Sequence, residues 1–327
     1  MLDTGKSRSA VDAVMFQPQA DGMYVFGESM NVIHRWRLAD GQEVGKQAGL
    51  DVLAISTSKD QKWIVCGALY EASVWDAEMQ QKVFEVEIRN AVFAVDVSPD
   101  STRFATGIGG SNARANIWSI TTGELLVGGL KHDEDVRAIR FSPDGELVAL
   151  CSRSYYRNSV RVFDSHSGNE TLNITDAKVS RAPNGRSIGL CPIAWSNDGQ
   201  QIFVASDDCA IKSFHVPTGS KFAESQILSE GGIESVALAA NGKFLVTFVG
   251  YSIFFLDTST LGRIGPAIEG KERIRSVAIS PDSSYLATGR YDGKIVIQNL
   301  SSILPDSYGP FYASICTFFV SGADILC

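Results

Sequence analysis

Two stretches concentrate the side chains best suited to gripping a ligand. "CSRSYYRNS" from Cys151 brings Arg153, Tyr155, Tyr156 and Arg157 together, and "TDAKVSRAPNGRS" from Thr175 adds Lys178, Arg181 and Arg186. Tyr and Arg offer a large contact area with a polar handle, which is why they carry so much binding energy at interfaces. Clustered cations and aromatics in a chain of net charge -8 suit an acidic or phosphorylated protein segment. Groups that make and break covalent bonds are scarcer. The four His, at 34, 132, 166 and 215, lie far apart and never at metal-ligand spacing, so they read as surface or core residues. The six Cys form no C-x-x-C pair, and the sequence contains no G-x-S-x-G or H-E-x-x-H pattern. "GKS" at Gly5-Lys6-Ser7 lacks the upstream glycine and flanking elements of a phosphate loop. Acidic runs such as Asp207-Asp208 and Asp133-Glu134-Asp135 read as turn formers and solvating charge. The expectation is no catalysis, no cofactor and no metal.

These residues need a frame, and composition says what kind. The chain has 327 residues, 44% of them hydrophobic and 20% charged, ample apolar material for a buried core. Its acidic balance gives no electrostatic reason to seek nucleic acid. The opening "MLDTGKSRSA" is polar, unlike a secretion leader, and the longest uncharged apolar run, "FLVTFVGYSIFFL", has 13 residues with a Gly-Tyr break. A bilayer core of about 30 Å calls for about 20. The address expected is intracellular, cytoplasmic or nuclear, with no membrane association and reduced thiols.

One phrase recurs: "VFAVDVSPDSTRFAT" from Val92, "VRAIRFSPDGELVAL" from Val136 and "IRSVAISPDSSYLAT" from Ile274. Aligned throughout, it gives seven starts, at Val11, Leu50, Val92, Val136, Leu190, Ile233 and Ile274, spaced 39 to 54 residues apart. A second marker, the bulky end of an alternating strand, keeps step at Trp36, Trp75, Trp118, Phe163, Phe214 and Leu256, with Gln298 in the last copy. Short apolar runs between Gly, Pro, Asp and Ser clusters, without helical periodicity, predict four strands per unit and an all-β chain. Within the first strand, apolar residues fall at the start and three and five places on, as in Val136, Ile139 and Phe141. Strict alternation forbids that pattern, so a β-bulge is expected one residue after the start, at Asp12, Asp51, Phe93, Arg137, Cys191, Glu234 and Arg275.

Four-stranded units at this period, with "VWDAEM" at Trp75-Asp76, "NIWSITTG" at Trp118 and the Ser-Pro-Asp turns, resemble the WD-repeat family of β-propellers from Val11 to about Leu300. The family's His, Ser/Thr, Asp, Trp hydrogen-bond network cannot be assembled in full in any copy. The resemblance implies a seven-bladed β-propeller of four-stranded antiparallel blades over residues 11–304. Residues 1–10, or the segment after Leu304, could supply a strand that closes the ring. The tail 305–327 carries "ICTFFVS" from Ile315, which repeats the first-strand pattern, so eight blades or a fragment of a longer array is the alternative.

The resemblance further implies that the loops between strands two and three, and those between successive blades, share one docking rim. Both Arg/Tyr stretches belong there, with Phe93, Arg137, Arg275, Arg290 and Tyr291 as further candidates. The function expected is a non-catalytic, monomeric scaffold that binds one or more proteins. A carbohydrate-binding propeller is the alternative, disfavoured because Tyr155, Tyr156 and Tyr291 are not repeated between copies.

Overall fold

The computed structural model describes residues 10–19, 21–29, 32–48, 51–77, 81–110, 114–132, 135–152, 159–177, 192–206, 208–226, 232–233, 235–309 and 319–320. Their strands form seven four-stranded antiparallel sheets, each made of four consecutive strands, over residues 13–48, 54–87, 92–131, 136–174, 193–226, 236–269 and 274–320. This is the blade composition of a seven-bladed β-propeller, and the only helices among the described residues are three short 3-10 turns. None is long and apolar enough to cross a membrane. The blades fall into two compact units, one of blades two to five and one of blades one, six and seven.

A lone four-stranded sheet cannot bury both faces, so within each unit neighbouring blades lean on one another. The apolar clusters follow that rule. One joins blades two and three through Val65, Val74, Phe104 and Ile120, another joins three and four through Ile117, Leu130, Ile139 and Phe141. A third joins four and five around Val162, Trp195 and Phe214, and a fourth joins seven and one through Ile295, Ile297, Val25 and Trp36.

The close approach needs glycine at one recurring place. Gly107, on the second strand of blade three, faces the start of blade four, and a Cβ there would lie 2.7 Å from Val136 Cγ1. Gly67 meets Val92 in the same way at 2.7 Å. Gly289 of blade seven meets Val11, whose carbonyl oxygen would be 2.7 Å from an added Cβ. The last blade thus joins the first by the junction used between blades two and three and between three and four. The N–H of Val11 donates to the Arg290 carbonyl (2.9 Å), and the Ser276 hydroxyl donates to the Val11 carbonyl (3.2 Å). Both blades are built from contiguous sequence. The fourth strand of blade seven is Phe319–Val320, paired with Val296 and Ile295, so this part of the tail adds to the seventh sheet.

The Ser-Pro-Asp turns, and the Ser-Asn-Asp turn at Ser196, explain their own sequence. In Ser98, Ser142, Ser196 and Ser280 the hydroxyl donates to the Asp two residues on, at 2.5 to 2.6 Å, and accepts the N–H that opens the second strand. The Ser142 hydroxyl holds the Asp144 carboxyl below its ordinary value, as Ser196 does for Asp198. The turn's fourth residue takes a positive φ, supplied by Gly145 and Gly199 but also by Ser101 and Ser283. In those two the serine has a use: the Ser101 hydroxyl accepts the Asp60 N–H of the preceding blade (3.1 Å), and Ser283 accepts that of Asn241 (3.3 Å).

The predicted bulge is present in blades three, four and seven. Val92 pairs with Ile108 and Ala94 with Gly107, leaving Phe93 as the extra residue. Arg137 in blade four and Arg275 in blade seven are displaced in the same way. In blade two the alignment needs correction: Ala54 pairs with Gly67 and the fully buried start is Val52, so the residue that corresponds to Phe93 is Leu53 rather than Asp51.

Candidate functional site

The start of each first strand lies opposite the end of the second, so the bulged residues share one end of the blade with the hairpin between strands two and three. Of the eight large hydrophobics exposed among the described residues, four sit on such hairpins: Leu69, Tyr70, Tyr251 and Tyr291. The other four are on fourth strands, so this end of the blades is one of two places where apolar surface meets solvent.

Blades three and four carry the best-defined arrangement. The Arg137 guanidinium lies over the Phe93 ring, 3.5 Å from its centroid, and donates to the Asp135 carboxylate at 2.8 Å. Asp135 also accepts the Gly110 N–H at 2.7 Å. A side chain at Gly109 would run into the Phe93 ring and Asp135, so the glycine makes room for the stack. Two bulges in adjacent blades thereby aim a cation at an aromatic face, and a third loop fixes the cation through its carboxylate. Both side chains remain partly open to solvent.

The unit of blades one, six and seven treats its candidates differently. Arg275 is 8% exposed and fixed on Asp12, with Nη2 2.7 Å and Nε 2.8 Å from one carboxylate oxygen. It locks blade seven to blade one and offers little to a partner. Arg290 faces Asp292 at 3.5 Å, and Lys294 approaches the same carboxylate at 3.7 Å. Tyr291 is 54% exposed. Arg153, Tyr155, Tyr156, Arg157, Lys178, Arg181 and Arg186 lie outside the described residues, as do Cys191 and Glu234.

Exposed tyrosines occur on three hairpins, more than the sequence reading allowed. Tyr70 and Tyr251 are at equivalent places, each directly before the third strand of its blade, whereas Tyr291 is four residues before its third strand. The sequence reading also passed over a polar row four residues along the first strands. Asp96 accepts the Phe141 N–H (2.8 Å), faces Arg140 (3.3 Å) and lies 3.4 Å from the Ser56 hydroxyl. Burial raises its pKa, partly offset by Arg140 and the Phe141 N–H. A carboxylate that replaces an edge acceptor between two first strands is legible as an Asp amid apolar residues only once the register is known.

The remaining titratable groups serve packing. His34 stacks on Trp36 at 5.3 Å and meets Glu43 at 2.8 Å, and His215 meets Thr218 at 3.0 Å. Cys66 and Cys151 are buried thiols. Among the described residues no group of three or more His, Cys, Asp or Glu could hold a metal ion. One hydrogen bond of the family's network is present: Trp118 Nε1 donates to the Thr106 hydroxyl at 3.0 Å.

Seven four-stranded blades with repeats of this kind are the pattern of a WD-repeat β-propeller, and the chain is similar to that family. Residues 125–169 and 265–299 match the model of the WD domain, G-beta repeat. The chain is similar to the serine-threonine kinase receptor-associated protein of Gallus gallus, 24% identical over 63% of this chain and 54% of that protein. It is 25% identical to eukaryotic translation initiation factor 3 subunit I of Aspergillus terreus, over 72% of this chain and 68% of that one. It is 30% identical to the small ribosomal subunit protein RACK1 of Caenorhabditis elegans, over 38% and 37%. The chain thus spans about half the length of the receptor-associated relative. Among solved structures, Kuenenia stuttgartiensis hydrazine synthase matches with a TM-score of 0.75 at 15% identity, over 91% of this chain and 98% of that one, a likeness of fold.

Proposed function

We propose that this propeller is a non-catalytic scaffold that docks protein partners through the hairpin end of its blades, centred on blades three and four. The observation that carries the reading is the Phe93–Arg137 stack held by Asp135, a preset aromatic-cation pair at two bulges and still open to solvent. Leu69 and Tyr70 on the neighbouring hairpin of blade two extend it with 45% and 69% exposed apolar surface. Arg153 and Arg157, between strands two and three of blade four in the sequence, and Arg181 and Arg186, between blades four and five in the sequence, add the cations, and Tyr155 and Tyr156 add aromatic contact. The partner segment is acidic or phosphorylated. Arg290 and Tyr291 form a lesser contact, and Arg275 a structural one. Relatives named for a kinase receptor, an initiation factor and a ribosomal subunit support a protein-binding role inside the cell.

Affinity capture with mass spectrometry tests this. Wild-type bait is compared with Arg153→Glu/Arg157→Glu and with Phe93→Ala/Arg137→Glu. Both variants should lose the same subset of partners while keeping the wild-type melting temperature. Unchanged capture by both would refute the reading.

A further inference from the structure

Blades two to five and seven turn from first to second strand through a serine whose hydroxyl donates to the Asp two residues on, as Ser58 does to Asp60 and Ser142 to Asp144. Blade six has Ala239 and Asn241 in those places. The Asn241 side-chain oxygen still accepts the N–H two residues on, that of Lys243 at 3.0 Å, as an aspartate would. Its Nδ2, which an aspartate lacks, donates to the Tyr308 carbonyl at 2.7 Å. Neighbouring side chains of blade six grip the same segment. Lys243 Nζ donates to the Ser307 carbonyl (2.9 Å) and to the Gly309 carbonyl (3.0 Å). The Tyr308 hydroxyl donates to Asp257 Oδ2 at 3.1 Å, and its ring meets Phe244 edge-on with centroids 6.4 Å apart. The other oxygen of Asp257 accepts the N–H groups of Ser259 (3.0 Å) and Thr260 (2.9 Å), so the carboxylate is in place whether or not a phenol meets it. Burial opposes its ionisation, but the Ser259 and Thr260 hydrogen bonds hold the Asp257 carboxyl below its ordinary value.

The segment that fills this site is longer than its own blade requires. In blades one to five the link from third to fourth strand runs over residues 38–42, 77–81, 120–124, 165–169 and 216–220, whereas in blade seven it runs over 300–318. Within that link Asp306–Tyr308 form one 3-10 turn, with Asp306 and Ser307 exposed and Tyr308 partly so. Blade six meets this turn through three carbonyls and one side chain, so another chain that folds into such a turn and carries the tyrosine presents the same groups. We propose that the turn end of blade six is a recognition site for a tyrosine-bearing turn, filled in the free protein by the chain's own residues 305–309 and taken over by a segment of a partner protein with the same chemistry. The tether favours the internal segment through its effective concentration. The incoming tyrosine has to be unmodified, because a phosphate on its oxygen would face the ionised Asp257. The site is at the opposite end of the blade from the hairpins and shares no residue with the docking face proposed above, so either can fail alone.

The test titrates the full chain into a fluorescein-labelled, amidated peptide of residues 303–309, read by anisotropy, beside a twin phosphorylated on the tyrosine. The Tyr308→Ala protein, its own segment weakened, should bind the unmodified peptide at least tenfold more tightly than wild type does. Adding Asn241→Asp, which sets a carboxylate oxygen against the peptide carbonyl, or Lys243→Ala should weaken that binding at least tenfold, and the phosphorylated twin should not bind. Melting temperatures are measured alongside. Hydrogen exchange on wild type needs no substitution and decides the matter where Tyr308→Ala melts early: saturating peptide should speed exchange of the Tyr308 and Gly309 amides, which donate to the Pro305 and Asp306 carbonyls of the internal turn. No binding by a Tyr308→Ala protein that melts as wild type does, undiminished binding after Asn241→Asp and Lys243→Ala, binding of the phosphorylated twin, or unaltered exchange at 308 and 309 would overturn the proposal. So would a concentration-dependent dimer of wild type that Tyr308→Ala abolishes, by making a second copy the occupant.

Discussion

Replacing Gly289 with Ala probes the joint between the last and first blades. The new Cβ would lie 2.7 Å from the Val11 carbonyl oxygen and 2.9 Å from Val11 Cγ1, and would also strike the Ser276 hydroxyl. Overpacking of this kind costs about 1–3 kcal/mol, and the gain from replacing Gly in a strand returns about 0.5–1 kcal/mol. The net loss of about 1–2 kcal/mol corresponds to a melting temperature lower by about 1–3 °C for a chain of this size. The matching change, Gly107→Ala, meets side chains only, Val136 at 2.7 Å and Ala94 at 3.1 Å. Adding Val136→Ala should therefore recover part of the loss in the Gly107 variant. Adding Val11→Ala should recover little in the Gly289 variant, because the carbonyl stays. Thermal denaturation of six variants, the two glycine changes, Val136→Ala and Val11→Ala alone and the two doubles, followed by circular dichroism, reads both differences. A Gly289→Ala protein as stable as wild type would show that blade seven does not meet blade one as described, and strictly additive losses at Gly107 and Val136 would refute the packing argument.

Arg103 is 9% exposed and donates to the Ser165 carbonyl (3.3 Å), the Ser165 hydroxyl (2.9 Å) and the Gly145 carbonyl (2.9 Å), joining blade three to two turns of blade four. Arg103→Met should lower stability by about 1–3 kcal/mol in urea denaturation, and a lysine in its place should not restore it, since one ammonium cannot span both turns. Asp96 binds its proton more tightly folded than unfolded, so stability should rise as pH falls through its raised pKa toward the ordinary value of 3.8. Asp96→Asn keeps an acceptor for Phe141 and should flatten that rise in a pH series of melting temperatures. Below the ordinary carboxylate value of 3.8 the sign reverses. Asp144 and Asp198, held down by serine hydroxyls, lose their contribution as they protonate in both proteins.

The repeat was legible because two markers kept one step, and the bulge at Phe93, Arg137 and Arg275 because its apolar pattern broke alternation. What stayed hidden depended on distance along the chain. Arg275 read as a variable surface position because its partner, Asp12, is 263 residues away. The start of blade two was ambiguous because Leu50, Val52 and Leu53 are all apolar, and only pairing of Ala54 with Gly67 selects Val52. Asp96 and Arg103 are charges on strands whose apolar neighbours mask them, and their roles appear only when the next blade is beside them.

Hydrogen exchange on a purified complex with a captured partner tests the docking account most directly. Amides at 88–93, 109–110 and 135–137, together with those at 153–158, should gain protection on binding, while the Ser-Pro-Asp turns at the opposite ends of the same strands stay unchanged. Protection confined to those turns, with the hairpin ends exchanging as in the unbound protein, would contradict it.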